Sequence, residues 1–347
     1  MPSRRDFLAA GTAALASGSR LLGADDPHPA FLTRGVVLVP EDLTLADWPE
    51  RARQAGLTTI GIHHQNSPQA VMDWIKADAG QRFLGTCKWL GLEVEYELHA
   101  MKELLPRSLF ANDEGLFRMD ETGQRNPDAN LCVHSQAALE IAAENAVAIA
   151  RTLRPTTGRY FYWGDDGKPW CRCPKCRDLS DSDQATLLEN HLLAALRGHD
   201  PRASLAHLAY LNSLSPPTRV KPEPGVFLEY APIKRRYDLP YEKQSGPGQP
   251  DALSALDANL EVFPAGTAQV LEYWLDVSRF SQWKRPAVRL PWRRDVLEAD
   301  LATYAARSIR HVTSFAVYVD ADYRKRYGEP EFIREYGEAL AGSGLRR

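Results

Sequence analysis

One theme, repeated eight times, constrains this chain more than any other feature. From residue 35 onward, a short β-branched or aromatic run alternates with an Ala/Leu/Glu-rich stretch. The strand-like runs are Gly35–Pro40, Leu57–His64, Glu93–His99, Arg159–Asp165, Ala203–Leu211, Gly225–Tyr230, Ala268–Asp276 and His311–Asp320. Helical stretches are expected at Leu45–Ala55, Ser135–Leu153, Ser182–Leu196, Ala252–Val262 and Asp295–Ser308, with a last helix near Glu331–Leu340. Strands that alternate with helices imply a parallel sheet. Eight units in 347 residues fit a single-domain (β/α)8 barrel. An open doubly wound sheet is the competitor, but no Gly-rich phosphate-binding turn follows the first run. Two long segments, residues 100–134 and Tyr241–Pro250, read as loops of the C-terminal face.

The N-terminus does not belong to this pattern. Ser3-Arg4-Arg5-Asp6-Phe7-Leu8 precedes a mildly apolar, Ala/Gly-rich run to Leu22. Paired arginines before such a run are the pattern of a twin-arginine export signal. Residues 1–24 are therefore set apart as a signal peptide, and residues 25–347 are expected to fold as the barrel and to work in the periplasm or outside the cell. A frayed basic helix is the alternative. No later stretch reaches 18 apolar residues, so no membrane insertion is expected after signal removal. The formal net charge of -3 argues against nucleic acid as a partner.

In a (β/α)8 barrel the chemistry gathers where the strands end. The third run places Glu93, Glu95, Glu97 and His99 on one face, and Val94, Tyr96 and Leu98 on the other. The acidic face is expected inside the barrel, with Glu97 and His99 near the mouth; a solvated edge strand is the alternative. The fourth run passes through Trp163 and ends at the Asp165-Asp166 pair, where one carboxyl can have its pKa raised by its neighbour. A simple capping turn would look the same. The sixth ends Glu229-Tyr230, the seventh carries Glu272-Tyr273-Trp274 and ends at Asp276, and the eighth ends at Asp320. Carboxylates interleaved with Trp and Tyr around one mouth suit a sugar site, because aromatic faces stack on sugar rings and carboxylates bind hydroxyls or act as acid and nucleophile.

Cys171, Cys173 and Cys176 form a C-x-C-x-x-C cluster just after the Asp pair. Three thiolates this close suit a tetrahedral structural zinc, with Cys132 or His134 as fourth ligand. A disulfide from Cys132 to one cluster cysteine is the alternative that an oxidising compartment permits. An iron–sulfur centre lacks the longer cysteine run. Catalytic zinc is not expected, since no His/Glu ligand set accompanies the cysteines, and catalysis needs no cofactor in this reading.

The middle of the chain, roughly residues 90–280, resembles the exported bacterial family termed domain of unknown function 4838. The resemblance rests on His99 with Leu104-Leu105-Pro106, Asn130-Leu131-Cys132, and Asp166 followed by the cysteine cluster. Ser182-Asp183 with Asn190, Ala209-Tyr210 with Pro216-Pro217, and Glu272-Tyr273 extend it. It implies a glycoside-hydrolase-like barrel whose relatives include endo-β-N-acetylglucosaminidases acting on N-glycans. A substrate-assisted mechanism is among those it implies, in which one carboxylate orients the substrate's N-acetyl group and another residue protonates the leaving oxygen. By position, Asp165 or Asp166 and Glu272 match such roles. The chain is shorter than the larger family members.

Three readings follow. In the first, the protein is an exported glycosidase of β-linked glycans, with Asp165, Asp166 and Glu272 catalytic and Glu97, His99, Trp163, Glu229, Tyr230, Tyr273 and Trp274 contacting a glycan or glycoprotein. In the second, it is a non-catalytic carbohydrate-binding barrel. In the third, Glu97, His99, Glu229 and Glu272 converge on a divalent ion in a sugar isomerase or epimerase.

Overall fold

The computed structural model describes residues 31–64, 67–244 and 252–342. The proposed signal segment and residues 245–250 of the Tyr241–Pro250 loop lie outside them. Eight parallel strands close on themselves: β1 (Thr33–Leu38), β2 (Thr59–Ile62), β3 (Glu93–His99), β4 (Arg159–Trp163), β5 (Ser204–Ala209), β6 (Val226–Tyr230), β7 (Gln269–Glu272) and β8 (His311–Phe315). Closure is made by β8 on β1, with Thr33 opposite His311 and Val37 opposite Phe315. Each strand-like run therefore overlaps one barrel strand; β1 starts two residues before its run, and most runs overshoot the strand at its end. The residues beyond the strand ends, such as Tyr273–Asp276 and Ala316–Asp320, turn outward as mouth loops.

The helices form the outer layer. Helix Gln136–Thr152 starts at Ser135, whose side chain accepts from the Ala138 amide at 3.4 Å, and it buries Ala138, Leu139, Ala142, Ala146, Ile149 and Ala150 along one stripe. Helix Asp181–His199 begins with a capping box between Ser180 and Asp183. Helix Ala252–Val262 has the bounds its sequence implies. Two of the longer helices escape the sequence pattern, Pro68–Lys76 and Asp78–Leu90, as do the short helices Met101–Leu104, Val277–Phe280 and Ala321–Tyr327. The two longer ones fill the β2–β3 crossover, where Pro68 and Gly80 interrupt the apolar period.

The interior is unusually polar. Barrel interiors are dominated by branched apolar side chains, but here Glu95, Glu97, Glu229, Gln269 and Thr313 are buried, with the half-buried Arg159 among them. Arg159 lies 3.7 Å from Glu95, donates to Gln269 Oε1 at 3.0 Å and stacks 4.0 Å over the Phe227 ring. Glu97 fits because residue 61 is glycine: a Cβ there would come within 2.8 Å of the Glu97 carboxylate. Burial raises the pKa of Glu95, Glu97 and Glu229, the last to about 8. One guanidinium cannot balance three carboxylates, so this layer carries protons.

Candidate active site

A cavity of about 330 Å³ opens at the C-terminal ends of the strands. Its floor and walls come from β2 (His63), β3 (His99), β4 (Trp163), the end of β5 (Tyr210), and β7 with its loop (Leu271, Tyr273). Trp163 is held by a 2.7 Å hydrogen bond from its indole N–H to Glu229 Oε2, so a buried interior carboxylate fixes an aromatic cavity wall. His63 Nδ1 donates to the Glu97 carbonyl and His99 Nδ1 to the Gly164 carbonyl, each at 2.7 Å. A carbonyl only accepts, so both Nδ1 atoms carry the proton. Burial lowers both imidazole pKa values, that of His63 to about 3, so the rings are neutral and their Nε2 atoms are acceptors.

Three carboxyls line this cavity: Glu41, just after β1, with its side chain 61% exposed and 3.8 Å from His64 Nε2, and Asp166 and Asp276, which come from strands three apart. Asp166 follows β4; its side chain is 54% exposed and lies 3.9 Å from His99 Nε2. Asp276 follows β7 and is only 5% exposed. Its Oδ1 accepts from Ser278 Oγ at 2.6 Å and from the Arg279 amide at 3.2 Å, capping a short helical turn. Burial raises its pKa to about 6, against the lowering effect of those hydrogen bonds. The sequence marks Asp276 only as the end of a strand-like run. The strand stops at Glu272, and a turn from Tyr273 to Asp276 (amide to carbonyl, 3.2 Å) swings Asp276 to the mouth.

The same turn corrects the reading of Glu272. It is fully buried on the outer face of β7, bonded to Arg235 at 2.8 Å, to the Tyr237 hydroxyl at 2.9 Å and to the Tyr304 hydroxyl. It does not line the cavity, so neither a catalytic role nor a place in a mouth metal site fits its position. Tyr230 and Trp274 are corrected for the same reason of parity: Tyr230 bonds the Tyr241 hydroxyl at 2.9 Å, and Trp274 donates to Asp300 at 2.9 Å. Glu97 and Glu229 point inward but lie beneath the cavity rather than on it. His99, Trp163, Tyr273 and Asp166 do line it.

Asp165 and Asp166 separate into two roles. Asp165 is pinned by Arg107 and by the Asn130 amide at 2.7 Å, while Asn130 Oδ1 accepts from the Asp165 amide at 2.9 Å. Asn130 also reaches the Lys168 and Pro169 carbonyls. This clamp leaves Asp166 as the cavity carboxyl.

Beside the clamp, Cys132, Cys171, Cys173 and Cys176 are all buried, with sulfurs within 4.8 Å of one another. Cys132 lies 3.9 Å from Cys173 and 3.8 Å from Cys176. A disulfide needs about 2.05 Å, and all four thiols are free, which corrects the disulfide alternative. Tetrahedral zinc with bonds of about 2.3 Å implies sulfur–sulfur edges of about 3.8 Å. The amides of Met119 (3.3 Å) and Cys173 (3.5 Å) donate to Cys171, as amides do to metal thiolates. The four sulfurs thus fit a metal such as zinc, with His134, whose Nδ1 is 3.2 Å from Cys176 Sγ, outside the ligand set. Among the described residues this is the one group of three or more metal-type ligands so close together.

Fold and mouth together define a (β/α)8 barrel with a glycosidase-like architecture. The chain belongs to the family described as domain of unknown function (DUF4838), whose model matches residues 30–340. No curated protein matches it. Solved structures similar in fold include Gan42B, a GH42 β-galactosidase from G. stearothermophilus (TM-score 0.54, 11% identity, 91% of this chain and 57% of that one). A β-galactosidase from Marinomonas ef1 (0.53, 12%, 89% and 59%) and a cold-adapted one from Rahnella sp. R3 (0.52, 14%, 91% and 58%) are also similar. The chain spans under two thirds of the length of these enzymes. Among the described residues, no helix is long and apolar enough to cross a membrane.

Proposed function

We propose that this protein is an exported glycoside hydrolase of β-linked glycans, N-acetylhexosamine-containing ones included. The observation that carries the reading is the pair Asp166 and Asp276, set on loops three strands apart in a cavity walled by Trp163, Tyr210 and Tyr273. Asp276 is the acid: a carboxyl with its pKa raised to about 6 holds a proton to give to a leaving oxygen in mildly acidic medium. Asp166, near His99, is the second carboxylate, acting on the anomeric carbon, on a water, or on the substrate's own amide. The Nε2 atoms of His63 and His99 accept sugar hydroxyls, and the aromatic walls take the apolar ring faces. Zinc on the four cysteines is structural; it ties the Asn130 segment to the loop that presents Asp166. Export rests on the twin-arginine pattern of residues 3–8.

The test is glycan release by residues 25–347 from N-glycoproteins and a panel of β-linked aryl glycosides, read by mass spectrometry. Release lost in both Asp166→Asn and Asp276→Asn establishes the hydrolase. Saccharide binding without release by the parent protein moves the reading to a carbohydrate-binding barrel.

A further inference from the structure

The described residues include four exposed large apolar side chains, Leu32, Trp89, Trp283 and Val288, and Trp283 alone of these lines the cavity. It is 57% exposed. A tryptophan left open to water at the edge of a binding cavity loses hydrophobic stabilisation that any burial would restore. Its backbone is also held in an unfavourable region. Gln282 and Trp283 both have φ of 55°, and Tyr318, on the adjoining loop, has φ of 71°. Left-handed conformations disfavour side chains of this bulk and persist only where surrounding bonds enforce them.

Those bonds are present. The Trp283 amide donates to the Ser278 carbonyl at 2.7 Å, and the Tyr318 hydroxyl reaches the Trp283 carbonyl at 3.4 Å. The Tyr318 amide donates to buried Asp42 at 2.8 Å. Arg285 stacks 4.1 Å from the Tyr318 ring centre and is anchored to Asp320 at 2.7 Å. Two aromatic residues thus have their backbones held on the β7–β8 side of the cavity, each at a non-glycine left-handed position. Trp163 and Asp166 stand on the β4 side.

We propose that Trp283, backed by Tyr318, is the platform of an outer sugar subsite, so that the cavity takes a chain of at least two sugar units. The inner unit lies between Trp163, Tyr273 and the two aspartates, and the next stacks on the indole of Trp283. The proposal rests on the glycan-active reading above, but concerns binding and not turnover.

The experiment measures calorimetric affinity for mono-, di- and tetrasaccharide series of β-linked N-acetylglucosamine, glucose and galactose. The parent chain, Trp283→Ala, Trp283→Phe and Trp89→Ala are compared, the last being an exposed tryptophan on helix Asp78–Leu90 that does not line the cavity. For the series that binds, Trp283→Ala is expected to weaken di- and tetrasaccharides about 3- to 10-fold, with monosaccharide affinity changed far less. Trp283→Phe keeps most of the affinity, and Trp89→Ala matches the parent. Equal losses for mono- and oligosaccharides, or none for either, overturn the subsite, as does a parent chain that binds no saccharide. Length-selective loss in a protein that releases no glycan upholds the subsite and removes the hydrolase.

Discussion

Asp276→Asn separates function from stability, and its effect can be worked from the structure. Asp276 is 5% exposed, and burial raises its pKa from 3.8 to about 6. The folded protein therefore binds more protons than the unfolded chain between those values, and stability falls as pH rises through them. At 1.36 kcal/mol per pH unit, the loss approaches about 3 kcal/mol by pH 7 and then stays level. Asparagine keeps the oxygen that accepts from Ser278 and Arg279, and its NH2 takes the place of the second carboxyl oxygen at the cavity lining. It carries no charge to desolvate. The variant is expected to be more stable than the parent by up to about 3 kcal/mol at pH 7. The advantage shrinks to a fraction of that near pH 4 and vanishes below about pH 3, where the parent's carboxyl is protonated both folded and unfolded. Urea unfolding of both proteins at intervals from pH 4 to 8 reads this directly, with glycan release measured in parallel. A variant no more stable than the parent at pH 7, or an advantage of the same size at pH 4, refutes the argument that Asp276 is an ionisable group held at a cost for chemistry.

Other outcomes follow from the same geometry. If Asp276 is the acid, kcat/KM falls as pH rises above about 6; a flat alkaline limb to pH 8 excludes it. Glu272→Gln leaves Arg235 in the core with Asp300 as its one remaining carboxylate, so it should lower stability by about 3 kcal/mol while folded enzyme keeps its turnover; loss of turnover at unchanged stability would reinstate a catalytic Glu272. Asp166→Asn should abolish release with its melting temperature nearly unchanged, whereas Asp165→Ala should destabilise through loss of the Asn130 clamp, which differential scanning calorimetry distinguishes. Metal analysis should find one zinc per chain, and chelation or Cys132→Ser should lower the melting temperature by on the order of 10 °C; metal-free protein of equal stability counts against the site.

Eight alternations of strand-like and helix-like segments were enough to determine the barrel, because a parallel sheet of eight short strands with helical crossovers has few ways to bury both faces. The cysteine spacing determined that Cys171, Cys173 and Cys176 meet. The sequence also placed the chemistry at strand ends, and His99, Trp163, Asp166 and Tyr273 line the cavity. What it left undecided is set by strand ends and by contacts between distant segments. β7 stops at Glu272, so the strand alternation that would put Glu272 and Asp276 on one face breaks between them: one carboxyl turns to Arg235 behind the sheet, the other to the cavity. Glu229-Tyr230 splits in the same way, since neighbours on a strand face opposite sides and register within the run was not readable. Only folding brings Asn130 to Asp165, 35 residues away, and so decides which aspartate is clamped and which is free. Periodicity is a local property of the chain and survives in its sequence; the end of a strand and the partner of a buried charge depend on groups far along the chain, and are settled when the barrel closes.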